Sequence, residues 1–198
     1  PGPTGIRIVK LRLNVSTRGN LVKWKDEVFP LPPEVGDEPR MDEWYANYNA
    51  EVKADYEKRS AIRKKLESGE SPFAGDTVCK NCHSKEHEKW SSTRHAEAFY
   101  ALQDVNKSFD PACIKCHTVG FETTGGVIDP TITANLMHVQ CETCHGAAKT
   151  HAQSAGKIPT SNKDWEKTKI CNQCHIQKHS PDFKFETYWP KISHGKNK

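Results

Sequence analysis

The first thirty residues alternate apolar and polar positions in two runs. Ile6 and Ile8, then Leu11, Leu13 and Val15, follow a period of two, with a change of face near Val9 that reads as a bulge. Ser16-Thr17-Arg18-Gly19-Asn20 is a turn signal, and Leu21-Val22-Lys23-Trp24 begins a return strand, so residues 5–29 predict a β-hairpin. Pro30, Pro32, Pro33, Gly36 and Pro39 mark an extended linker. Over 42–67 the period becomes helical. Tyr45, Tyr48, Val52, Ile62 and Leu66 fall near one face, with Asp42 as N-cap and Gly69 as stop. Such a stripe ordinarily packs on its own protein; docking a partner is the other use. From Pro72 onward glycine, proline and polar residues interrupt every run and leave room only for short helices. Three parts follow: a hairpin arm and linker (1–40), an amphipathic helix (41–71) and a remainder (72–198).

Hydrophobic residues make up 35% of the 198 residues and charged ones 27%. Ordinary domains are about 45–50% apolar, and a shortfall with high charge points towards disorder unless something else supplies a core. The cysteines name that supplement. All eight lie in four C-x-x-C-H motifs: Cys79/Cys82/His83, Cys113/Cys116/His117, Cys141/Cys144/His145 and Cys171/Cys174/His175. This is the attachment pattern of c-type haem. Two thiols at that spacing bond the two vinyl groups of one porphyrin, and the adjacent histidine supplies an axial nitrogen to iron. Paired C-x-x-C could instead share zinc, and eight cysteines could form disulfides, but neither needs a histidine after every second cysteine. A thioredoxin-type motif occurs once, beside a βαβ pattern, and none is visible. The pattern therefore predicts four haem c groups.

Motif starts are 34, 28 and 30 residues apart (113−79, 141−113, 171−141). About 32 residues per haem is too little to wrap each one separately, so the haems must be close-packed and form much of the core, as multi-step electron transfer requires. The predicted fold class is a mainly α multihaem cytochrome with little regular structure: short helices around four stacked haems, a β-hairpin arm and one longer helix. The formal charge of +4 is offset by haem propionates, which ionise near pH ~4, so it gives no argument for nucleic acid. No run approaches the ~20 apolar residues of a membrane span. Haem c attachment occurs outside the cytoplasm, which implies a periplasmic or extracellular location and a removed targeting segment.

Each iron that only carries electrons needs a sixth ligand. Methionine is scarce (Met41 and Met137), whereas six further histidines are present: His87, His95, His138, His151, His179 and His194. Bis-histidine iron is the expectation, and it gives lower potentials than His/Met ligation. His87 and His179 lie four residues after a motif histidine, on the same helical face as their own proximal ligand, so they are reserves. His95, His138 and His151 are the preferred distal ligands. His194, in a tail with long reach, takes the remaining iron, within the chain or in a second subunit.

Residues 76–155 resemble the tetrahaem cytochrome c-554 family. The resemblance rests on Trp90-Ser-Ser-Thr-Arg-His95-Ala, on Cys113-Ile-Lys-Cys116-His117-Thr-Val-Gly120-Phe121, and on Val139-Gln-Cys141-Glu-Thr-Cys144-His145-Gly146 followed by His151. It implies parallel-stacked and near-perpendicular haem pairs. It also implies that His95 serves the third haem, His138 the first and His151 the fourth, with the sixth position at the His117 haem in doubt. Residues 5–52 are similar to the final hairpin and linker of 5′-nucleotidase-type metallophosphatases, without their metal-binding motifs. The size and surplus histidines are also similar to those of filament-forming extracellular tetrahaem cytochromes, some of which ligate a haem with a neighbour's histidine.

These readings imply an extracytoplasmic electron-transfer protein rather than an enzyme. Its partners would be redox proteins or extracellular acceptors, and self-association into a filament is placed ahead of a soluble shuttle. One alternative is an enzyme that reduces a small nitrogen or sulfur oxide at an open haem on His117, with His87 or His179 as proton donors. Another is a module that docks an enzyme partner through the 42–67 helix. A pyridine haemochrome assay should return four c-type haems per chain; a spectrum without c-type haem would contradict the motif reading.

Overall fold

The computed structural model describes residues 7–32, 34–36, 38–66, 69–164 and 166–194. Ile6, Pro33 and Glu67, assigned above to strand, linker and helix, lie outside the described residues.

Strands β1 (Arg7–Val15) and β2 (Leu21–Pro30) form a two-stranded antiparallel sheet, joined where Ser16 N–H donates to Asn20 O at 2.8 Å and Gly19 takes φ 79°. The register irregularity falls between Asn14 and Val15, not near Val9. Val9 lies opposite Val28 and Leu13 opposite Trp24 in unbroken alternation, while Ile8 shares the other face with Phe29. The extra residue sits beside the turn, where the left-handed glycine re-aims the chain. Both faces are exposed, and Trp24 keeps 59% of its surface.

A single 3-10 turn, Pro39–Met41, leads into helix α1 (Asp42–Leu66). Asp42 is inside the helical run rather than its cap. The start is marked instead by Glu38, whose carboxylate accepts from Arg40 N at 3.3 Å. The buried stripe also differs from the apolar one read from the sequence. Tyr56 and Ser60 are buried and Val52 packs on the core, whereas Tyr45, Tyr48, Ile62 and Leu66 remain exposed. The reason is the surface that α1 meets, a loop presenting backbone carbonyls. Tyr56 Oη donates to Ile128 O at 3.0 Å, and Arg63 donates to Val127 O at 2.9 Å and Thr123 O at 3.1 Å. A stripe at i, i+4 and i+7 must carry donors to satisfy it. Near the other end, Lys107 Nζ lies 4.8 Å from the Tyr45 ring centre and 2.6 Å from Asn49 Oδ1. The helix thus packs on its own chain.

The rest is short helices: α2 (Asp76–Lys80), α3 (Ser84–Ser91), α4 (Tyr100–Asp104), α5 (Pro111–His117), α6 (Cys141–His145), α7 (Lys149–Gln153), α8 (Lys167–Cys171) and α9 (Phe185–Ile192). Their apolar core is small: Phe99, Leu102, Phe109, Ile114, Val119, Val127, Leu136 and Met137, with Tyr56 from α1. A folded monomer of this length would expose about 9,400 Å², yet the polypeptide exposes 14502 Å². Side chains alone therefore do not close the surface. No described helix is long and apolar enough to cross a membrane.

Replacing Tyr56 with alanine removes both its ring packing and its bond to Ile128. It should cost about 3–5 kcal/mol and expose the α1 amides to hydrogen exchange, while Leu66→Ala should change neither.

Candidate haem sites

Each attachment motif is one helical turn. His83 N–H donates to Cys79 O and His175 N–H to Cys171 O, both at 2.9 Å, and the second and third motifs lie within α5 and α6. The turn places each histidine on the face of its first cysteine. Pro111 and the Asp110 side chain, which accepts from Ala112 N at 3.0 Å, start α5. Gly146 ends α6 at φ 75°, and a Cβ there would collide with Ser161 Oγ.

The motifs meet in a fixed order. Cys79 lies beside Cys141, which raises the Cys79 thiol and lowers that of Cys141, while the Cys79 thiol donates to Gly75 O at 3.5 Å. Burial and then the nearby Cys171 push Cys144 up to about 11. Burial and then Cys116 push Cys174 up to about 12. The attachment points thus run first, third, fourth, second. A cleft of about 560 Å³ opens between Cys116 and Cys174, lined also by Phe73, Phe121, Thr143 and Gly146. None of the eight cysteines is in a disulfide.

The attachment cysteines are not equally covered, and Cys82 stands apart. It is exposed, whereas Cys79, Cys113, Cys116, Cys141, Cys144, Cys171 and Cys174 are all half-buried. The reason is local. Helix α2 ends at Lys80, and Cys82 lies in the turn beyond it, where its N–H donates to Cys79 O at 3.2 Å. The whole run 80–85 is exposed, His83 included. Only Cys79, at the inner end of that turn, meets another motif. The first motif is therefore the outermost of the four at its second thiol, a distinction that identical C-x-x-C-H spacing could not reveal.

Among the described residues, three pairs of histidine rings face one another. The ring centres of His83 and His151 are 6.2 Å apart, those of His95 and His175 6.1 Å, and those of His145 and His194 5.9 Å. An imidazole nitrogen lies about 2 Å from a transition metal, so two rings on opposite sides of one iron have centres about 6 Å apart. Hydrogen bonds select the matching tautomer. Nδ1 of His151 reaches Ile158 O at 2.7 Å, Nδ1 of His194 reaches Ile192 O at 3.0 Å, and Nδ1 of His117 reaches Ala98 O at 2.5 Å. A carbonyl only accepts, so each Nδ1 carries the proton and each Nε2 is a free base for a metal. These carbonyl partners left no trace in the sequence, because any residue type provides one.

The other histidines are placed differently. His138 Nδ1 accepts from Phe99 N–H at 3.2 Å, which puts the proton of the neutral ring on Nε2. Its ring packs on Tyr100, with centres 4.6 Å apart. His87 Nε2 is 2.9 Å from Asp76 Oδ2, and His179 is exposed. Among the described residues no histidine ring faces His117. The pairs also differ from those the resemblance implies: His151 stands by the first motif and His95 by the fourth.

The residues present fit haem better than a bare metal ion. Among the described residues no three Cys, His, Asp or Glu side chains gather as a metal-ion site needs. Paired imidazoles suffice for haem, whose porphyrin supplies the other four nitrogens. Burial lowers the pKa of His175, burial and then His175 that of His95, and burial and then His194, His83 and His151 that of His145. All three are thereby held in the neutral form that binds iron.

The four C-x-x-C-H motifs and the facing histidine rings mark the chain as a multihaem c-type cytochrome. Residues 78–146 match the family described as Cytochrome c554 and c-prime. Cytochrome c-554 of Nitrosomonas europaea is 28% identical, with 55% of this chain and 60% of that protein covered. The chain thus spans about three fifths of that curated relative's length. The solved structure of reduced cytochrome c554 from Nitrosomonas europaea is similar at 24% identity and TM-score 0.40, covering 59% of this chain and 71% of that one. The cofactor is haem c, four per chain.

Proposed function

We propose that this is an extracytoplasmic electron carrier in which four haems follow one another in the order first, third, fourth, second. The observation that carries the reading is the nearness of the attachment motifs: α2 packs on α6, Cys144 lies near Cys171 and Cys174, and the Cys116 thiol donates to Gln173 O at 3.9 Å. Haem supplies reversible one-electron chemistry. The protein's part is to hold the four attachment points side by side, keep the axial imidazoles neutral and limit water. All eight cysteines serve as attachment points, and the exposed Cys82 puts one edge of the first haem at the surface, where a redox partner has access. The proximal ligands are His83, His117, His145 and His175. The distal ligands are His151 for the first haem, His194 for the third and His95 for the fourth. In this assignment His194 acts within its own chain.

A second reading is supported by His117. With no histidine ring opposite it among the described residues, the second haem is the one suited to binding a small ligand, such as a nitrogen or sulfur oxide to be reduced. Self-association, including a filament, is supported by the hairpin's exposed apolar face (Val9, Leu11, Leu13, Trp24 and Val28). Electron microscopy of the concentrated protein bears on that point: filaments are expected, and a persistent monomer counts against them. Redox proteins or extracellular acceptors are the partners this reading implies, in the periplasm or outside the cell.

Electron paramagnetic resonance of single variants tests the ligand set. His95→Ala, His151→Ala and His194→Ala should each convert one low-spin haem of the four to high spin, and His138→Ala should convert none. Loss of a low-spin signal in His138→Ala, with His151→Ala silent, would overturn the assignment at the first haem.

A further inference from the structure

Glu142 lies between the two cysteines of the third motif, yet it is only 3% exposed. Its carboxylate accepts from Ala74 N at 2.9 and 3.0 Å, from Gly75 N at 2.8 Å and from Ala148 N at 2.8 Å. Every one of these bonds is donated to it, the pattern of the ionised, acceptor-only form. Among the described residues no Lys, Arg or His forms an ion pair with it, so backbone dipoles alone hold the charge. Two residues earlier, Gln140, also buried, accepts from Asp76 N at 3.0 Å. Side chains on either side of Cys141 therefore bind three successive amides, 74 to 76, at the entry to the helix that carries Cys79. Gly75 allows the approach: it sits at φ 84°, and a Cβ there would be 3.1 Å from Asn135 O.

We infer that Glu142 is a positioning residue that locks the first haem's attachment site against the third's, and that its buried charge lowers the reduction potentials of those two haems. A ferrous haem carries one more negative charge than a ferric one, so a fixed anion nearby in a low-dielectric interior disfavours the added electron. Glu142 sits between the two attachment cysteines of the third haem, and its amide partners lead into the helix that carries Cys79. The effect biases electrons from the first and third haems towards the fourth and second. The inference rests on the haem order proposed above.

Spectroelectrochemical titration of the haem-loaded protein tests it, with haem counted separately by pyridine haemochrome. Glu142→Gln should keep four haems and shift two of the four midpoint potentials upward while the other two hold. Gln140→Leu loosens the same clamp without changing charge and should leave all four in place. Four unchanged potentials in Glu142→Gln, or an equal upward shift in Gln140→Leu, would overturn the role of the charge. Should Glu142→Gln yield no haem-loaded protein, Glu142→Asp decides, because it keeps the charge. Wild-type potentials there support the inference, and a rise in the same two haems overturns it. A wild-type protein with fewer than four haems would instead contradict the underlying haem reading.

Discussion

Each C-x-x-C-H motif ties a flat apolar ring to a single helical turn at three points, two sulfurs and one imidazole, and the rest of the molecule is arranged around that tether. The polypeptide buries a core of only a few side chains around Phe99, Ile114, Val119 and Leu136, and leaves far more surface open than its length requires. Covalent attachment also explains why helices as short as α2, α6 and α8, marginal in isolation, can persist: each is held by its cofactor and by side-chain bonds such as those of Glu142 and Gln140.

Close packing brings the four motifs together around the haems. The succession from Cys79 through Cys141 and Cys174 to Cys116 is not the order of the sequence. It arises because the loops between motifs fold back, so that the third motif lies against the first and the fourth against the second. Burial of His95, His145 and His175 serves the same end by keeping the imidazoles in their metal-binding form.

Much of this was legible in the sequence because covalent chemistry imposes a strict spacing. The four motifs, the histidine surplus, the hairpin and the long helix are all visible as patterns. What was hidden depended on the partner surface. Tyr56, Ser60 and Arg63 of α1 were missed because the helix docks on carbonyls at 123–128, which reward donors rather than apolar side chains. The bulge was misplaced because Ile8 was read with the Leu11 face, although it lies on the opposite one with Phe29. The exposure of Cys82 was hidden too, since its motif is identical in spacing to three whose cysteines are half-buried. The facing histidine rings could not be read from spacing, since each comes from wherever the chain returns: His95 meets the fourth motif and His151 the first.

The iron beside His117 is the one that no histidine ring faces among the described residues, so an open position is expected there. The most direct measurement is the optical spectrum of the fully reduced protein with and without carbon monoxide, which binds only iron with an open or weakly held position. About a quarter of the haem absorbance is expected to shift, one haem in four. A spectrum that carbon monoxide leaves unchanged would contradict the open second haem, and a shift in most of the absorbance would contradict the three histidine pairs.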